Sequence, residues 1–288
     1  LDCLEVESDQ YKGAGIRTIY IGGGTPTMIS PGQLDRLFGI IHSQFQLAPE
    51  VEWTIEANPE GLESDKLALM RRAGVNRISL GIQSLDNKYL RILGRNHDAR
   101  LANHAFDRIR ESGFDNINID MMFCFPGQTM EELKNDIGRF VKLRSDHISL
   151  YSLTVERNSR FYAQNICLDN DQVQAQHYQT VCDMLYAAGF DQYEISNFAK
   201  PAKTARHNMN YWQGGQYLGL GVGAHSHVGA RRFWNISRLQ NYISGIQNGN
   251  SVVEGYEELP APDKMSECVL LGLRMNQGIE LKALEQRF

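Results

Sequence analysis

Four hydrogen-bonding side chains, Glu56, Gln83, Asp120 and Thr154, recur along the chain at spacings of 27, 37 and 34 residues. A turn of three glycines, Gly22-Gly23-Gly24-Thr25, precedes them. Glycine permits positive φ and lets a ligand approach the backbone closely. Gathered in one place, these groups make a polar rim lined by carboxylates and amides. Glu56 and Asp120 alone are also a candidate acid/base pair. The turn is no P-loop, because no Gly-Lys-Ser/Thr follows it. Nor is it a dinucleotide fingerprint, because Pro26 interrupts it and Thr27 stands where the third glycine belongs. Gly219-Leu220-Gly221-Val222-Gly223-Ala224 matches G-x-G-x-x-A formally, a weak signal in a glycine-rich stretch. Singly, each polar residue reads as a satisfied core group; five together favour a site whose ligand spacing alone does not name.

Elements that place such groups on one rim are visible in the pattern. Apolar, β-branched segments recur about every thirty residues, at 18–21, 51–56, 77–83, 116–120 and 147–153, with helix-period stretches between them. Ser30-Pro31 opens one helix, and Ala73-Gly74 and Ser112-Gly113 close two others. Strand and helix alternating in this way imply βα units and a parallel sheet, in a whole or partial barrel or a doubly wound sheet. Trp53 and Ile55 oppose Glu52, Thr54 and Glu56; Ile78, Leu80 and Ile82 oppose Ser79, Gly81 and Gln83; Ile117 and Ile119 oppose Asn116, Asn118 and Asp120. A parallel sheet covered on both faces is apolar throughout. One polar face in strand after strand instead suits the inner wall of a barrel around a wet cavity. The glycine turn, Glu56, Gln83, Asp120 and Thr154 fall at or near the C-terminal strand ends, the rim where such folds bind ligands.

Composition narrows the class. With 29 basic and 34 acidic residues the chain carries a net charge of −5 and no basic block, which excludes a general nucleic-acid binder. No apolar run has the length of a membrane span, so no membrane insertion is expected. The first residues lack the pattern of a signal peptide. Five cysteines, at 3, 124, 167, 182 and 268, are odd in number and far apart, which argues against a disulfide framework. The expectation is a soluble, cytoplasmic α/β protein.

Several motifs then carry a resemblance. Gly22-Gly23-Gly24-Thr25-Pro26-Thr27, Glu56-Ala57-Asn58-Pro59, Gly81-Ile82-Gln83-Ser84, Leu93-Gly94-Arg95, Asn118-Ile119-Asp120-Met121-Met122 and Pro126-Gly127-Gln128-Thr129 resemble the oxygen-independent coproporphyrinogen III oxidase group of radical SAM proteins. Tyr193 to Pro201, Arg206-His207-Asn208-Met209-Asn210-Tyr211-Trp212 and Tyr217 to Ser226 are similar to its HemW branch, the heme chaperones. The resemblance implies a partial (βα)6 barrel, its first strand missing here, with a C-terminal α+β extension. It implies a barrel over 1–165, a branch-specific region over 166–258 and the start of a winged-helix-like end domain over 259–288.

For the site, the resemblance implies that Gly23, Gly24 and Thr25 meet the methionyl end of S-adenosylmethionine (SAM). Glu56, Gln83 and Asp120 hold ribose hydroxyls and the amino group. Arg95 pairs with the carboxylate through its planar fork, and Thr154 makes a backbone contact near the adenine. His207 becomes the candidate axial ligand of heme iron, with Asn208, Tyr211 and Trp212 beside it; His225 and His227 are the runners-up. His207→Ala is accordingly expected to weaken heme binding more than His225→Ala.

The chain departs from the family at the C-x3-C-x2-C motif that holds a [4Fe–4S] cluster, for which only Cys3 stands upstream of the turn. The resemblance therefore implies a piece of a longer protein that carries the cluster, binds SAM and heme, and delivers heme to acceptor proteins such as membrane cytochromes. The alternative activity is oxidative decarboxylation of coproporphyrinogen. A barrel enzyme that works through Glu56 and Asp120 without SAM is the reading from outside the family.

Overall fold

The structure, a computed structural model, describes residues 1–288. Strands β1 (Gly15–Ile21), β2 (Gln46–Ala57), β3 (Arg77–Gln83), β4 (Ile117–Phe123), β5 (His147–Ser152), β6 (Asp191–Glu194) and β7 (Asn197–Ala199) form one sheet in the order β1-β2-β3-β4-β5-β7-β6. Pairing is parallel from β2 to β5. The sheet stays open, with β1 and β6 as edges, as a partial barrel requires. β6 and β7 pair antiparallel, and β7 pairs antiparallel with β5. This hairpin is absent from the periodicity because strands of four and three residues carry too few alternations to register.

Two compact units divide the chain. One comprises Leu1–Ile19, Ser30–Glu52 and Ala205–Phe288; the other comprises Tyr20–Ile29 and Trp53–Thr204.

Within the second unit the apolar strand faces are fully buried, at Ile55, Ile78, Leu80, Ile82, Ile117, Ile119 and Ile148. So are Leu67, Met70, Ile109, Leu133, Ile137 and Phe140 on the helices between the strands. Each such side chain contributes about 1.5–3 kcal/mol relative to exposure. The helix ends follow local chemistry. Gly74, in the left-handed conformation (φ 99°), ends helix Ser64–Ala73, and Thr129 with Glu132 forms a capping box on helix Met130–Lys142.

The opposite strand faces form a hydrogen-bonded polar wall. Asn118 Nδ2 donates to Ser79 Oγ (2.7 Å) and Asp120 Oδ1 (2.9 Å). Its Oδ1 faces His147 Nδ1 at 2.6 Å and accepts from Ser149 Oγ at 3.1 Å. That assigns the His147 proton to Nδ1, leaving Nε2 to accept from Tyr193 Oη at 2.8 Å. Burial and the nearby Arg77 charge hold His147 well below its ordinary pKa, which agrees with a neutral ring.

Cys124 has φ +60°, the backbone region glycine adopts freely. Its Sγ is buried, 3.8 Å from His177 Nδ1, and burial raises the thiol pKa, so it is a core thiol.

The first unit contains a second sheet, in which β8 (His225–Val228), β9 (Arg231–Asn235) and β10 (Val253–Glu257) run antiparallel in the order β10-β9-β8. It also explains the second glycine run. Buried Glu7 accepts from Gly221 N at 2.8 Å, from Tyr242 Oη at 2.6 Å and from Asn235 Nδ2. At Gly219 a Cβ would lie 2.2 Å from the carbonyl oxygen of His225. Within the G-x-G-x-x-A segment, Gly221 N thus binds the protein's own carboxylate, and Gly219 leaves room for the His225 carbonyl.

Candidate functional site

The rim of the second unit is built around two glycines. A Cβ at Gly22 would lie 2.9 Å from the Glu56 carboxyl carbon and 2.8 Å from the Tyr20 ring. Its absence lets Tyr20 Oη donate to Glu56 Oε1 at 2.8 Å, while Gly23 N donates to Oε2 at 3.3 Å. The Gly23 amide is therefore turned toward Glu56, and the turn is tied to β2 by that carboxylate. Gly23 and Gly24 both have positive φ (86° and 131°), and a Cβ on either would meet nothing within 4 Å. That side of the turn is open.

The second centre is Gly81. A Cβ there would stand 3.1 Å from Arg95 Nη2, 3.1 Å from Asn58 Oδ1 and 3.2 Å from Gln83 Nε2. Arg95 Nη2 donates to Gly81 O at 2.8 Å and to Asn58 Oδ1 at 3.2 Å, and Asn58 Nδ2 donates to Thr25 Oγ1 at 2.8 Å. Asn58, inside a recognised motif but given no role by it, is thus the bridge from the glycine turn to the arginine. Arg95 Nε is buried and makes no hydrogen bond. A buried donor left unpaired costs about 1–3 kcal/mol, so an incoming acceptor there is favoured.

Gln83 closes β3 at φ +71°, beside an irregularity in its pairing with β4. A glutamine in the left-handed region is strained, and such strain gathers at functional sites. The following loop is pinned. Buried Asp136 accepts from Ser84 Oγ (2.6 Å) and Leu85 N (2.8 Å), and Arg139 Nη1 donates to Leu85 O (2.7 Å). Nothing local in the sequence joins Asp136 to Gln83.

Asp120 lies three residues below the end of β4, deeper than the rim position expected for it. Burial pushes its carboxyl up to about 6, with Glu56 adding to the rise and Asn118, Arg77 and Arg95 opposing it. Thr154 lies exposed past the end of β5 and makes no hydrogen bond to the other candidates.

The histidine motif belongs to the first unit. Glu52 accepts from Arg206 N and His207 N, both at 2.9 Å, which places a carboxylate at the start of helix Arg206–Trp212. His207 Nδ1 is 2.9 Å from Thr18 Oγ1, and Nε2 is 3.0 Å from Tyr211 Oη. Both ring nitrogens are engaged, so the geometry does not favour the expected axial role: ligation would cost one of these bonds. Asn208 is half-buried on the same helix, and Trp212 lies under the Arg274 guanidinium at 4.3 Å.

Residues 4–139, which carry the glycine turn, Gly81 and Arg95 on the open βα sheet, match the radical SAM superfamily, the class to which the protein belongs. Residues 259–288 match the HemN C-terminal domain. The Bacillus subtilis heme chaperone HemW is 36% identical over 95% of this chain and 73% of its own length. The Lactococcus lactis heme chaperone HemW is 34% identical over 100% of this chain and 76% of its own. The structure of coproporphyrinogen III oxidase (HemN) from Escherichia coli, a radical SAM enzyme, matches with a TM-score of 0.87 at 25% identity, covering 99% of this chain and 70% of that one. The chain belongs to the HemW family.

That family implies SAM and a [4Fe–4S] cluster. The five free cysteines of this chain are dispersed, and no group of three cluster-type ligands gathers anywhere in it. The residues present do not fit a cluster. No helix is long and apolar enough to cross a membrane.

Proposed function

We propose that this chain is a heme-handling protein that binds SAM on its barrel rim and serves delivery of heme to acceptor hemoproteins, membrane cytochromes among them. The observation that carries the SAM half is the cluster around Gly81, where Arg95, Asn58 and Gln83 converge on a position with no side chain. The unpaired Arg95 Nε there suits a ligand carboxylate. Glu56, Gln83 and Asp120 supply acceptors for hydroxyl and amino groups, and the open turn at Gly23 and Gly24 leaves room for the amino-acid end. SAM beside a reduced cluster is the source of radical chemistry in this superfamily. The residues of this chain bind and orient it. The heme half rests on the names of the relatives.

Calorimetric titration of the chain with SAM and, separately, with hemin tests the two halves. Saturable binding of each is expected, and absence of either removes that half. Anaerobic conversion of coproporphyrinogen III by a longer, cluster-bearing form would favour the oxidase reading instead.

A pH dependence follows from Asp120. Below its pKa of about 6 the carboxyl is protonated and loses acceptor capacity. SAM affinity is expected to fall by roughly tenfold per pH unit below that point, and Asp120→Asn should be weak throughout with a flattened profile. An unchanged slope in the variant would assign the titration to another group.

A further inference from the structure

His207, His225 and His227, the three histidine candidates, differ in what their rings already hold. His207 has both nitrogens engaged, by Thr18 and Tyr211. His227 is half-buried, with Nδ1 at 3.3 Å from Gly215 O. His225 is exposed, and its imidazole makes no hydrogen bond. Its contact is with Trp234, at a centroid distance of 6.0 Å and an interplanar angle of 27°.

Trp234 is itself held in place. A Cβ on Gly255 would lie 2.5 Å from Trp234 Cζ2 and 2.8 Å from Cε2, so the indole rests where only glycine leaves room. His225, Trp234 and Gly255 are successive cross-strand partners on β8, β9 and β10, and therefore share one face of the sheet. A coordination bond to an imidazole lies in the plane of the ring. An aromatic stacked on one ring face thus limits rotation about the side-chain torsions and leaves the nitrogens at the ring edge open.

We infer that His225 is the axial ligand this chain offers to the iron of a metalloporphyrin, with Trp234 and Gly255 as its positioning residues. The inference rests on the heme reading above and names the ligating atom for it. His207 is then a residue that secures helix Arg206–Trp212 through Thr18 and Tyr211. Neutral imidazole is a common ligand of heme iron, and the support behind it orients and tunes it.

The test is titration of the full chain with hemin, followed by the Soret band and by electron paramagnetic resonance of the ferric complex. His225→Ala should lose the imidazole-ligated signature and bind hemin roughly tenfold or more weakly, and millimolar imidazole should restore the signature. His207→Ala should keep it. Gly255→Ala, which leaves His225 intact but displaces Trp234, should weaken binding and broaden the spectrum. Circular dichroism verifies that each variant is folded. If the unaltered chain binds no hemin, the heme reading falls and this assignment with it. If it binds hemin and His225→Ala retains both signature and affinity, His225 is not the ligand, while the heme reading stands.

Discussion

Replacement of Arg95 by alanine is expected to weaken SAM binding by roughly 30- to 1000-fold, equivalent to about 2–4 kcal/mol. The guanidinium is held by Gly81 O and Asn58 Oδ1, so its position is set before a ligand arrives, and the buried Nε has no protein partner to return to. Loss of the side chain would remove both the charge and the fixed donor geometry. Arg95→Lys should recover little, because an ammonium on a flexible stem cannot satisfy Gly81, Asn58 and a carboxylate together. Calorimetry at neutral pH provides the measurement. A loss smaller than about threefold would remove Arg95 from the binding site.

The largest expected effect on stability is at Glu7. Its carboxylate accepts from Gly221 N, Asn235 Nδ2 and Tyr242 Oη, and burial together with the contact to Glu7 raises the pKa of Tyr242. Glu7→Ala would strand three donors in a buried place, at about 1–3 kcal/mol for each group that water cannot reach. A loss of about 3 kcal/mol or more is expected for the first unit. Chemical denaturation followed by intrinsic tryptophan fluorescence, to which Trp212 and Trp234 of the first unit contribute, reads it, and a midpoint unchanged from the parent chain would refute the account. Glu7→Gln should recover only part, since an amide presents one acceptor oxygen to three donors.

Much of the barrel was legible because its information is local. The alternation at Ile78-Ser79-Leu80-Gly81-Ile82-Gln83 separates a buried face from a polar one without knowledge of the neighbours. Ser30-Pro31, Gly74 and Ser112 mark helix boundaries through their own side chains or backbone freedom. Spacing placed the glycine turn, Glu56 and Gln83 at strand ends, but not the wiring among them, and Asp120 lies deeper than spacing implied. Asn58 bridging Thr25 and Arg95, Asp136 pinning the loop beyond Gln83, and Glu52 at the start of helix Arg206–Trp212 join residues 33 to 155 positions apart. No local pattern encodes such pairs. His207 shows the converse. Its motif was visible, yet whether its nitrogens were open depended on Thr18, 189 residues away. The left-handed backbone at Gln83 was hidden too, since glutamine gives no sign of it.

The pairing of Glu7 with Tyr242 spans 235 residues of sequence. During synthesis the chain emerges at about 5–20 residues per second, so Glu7 waits on the order of ten seconds or longer for its last donor. The second unit, largely a continuous stretch from Trp53 to Thr204, has all of its residues available earlier. The first unit carries the entropic penalty of closing a long loop, and contacts of high sequence separation form slowly. Helix Asp2–Asp9 therefore spends that interval exposed, and proteolysis of stalled chains should cut it before it cuts the barrel strands.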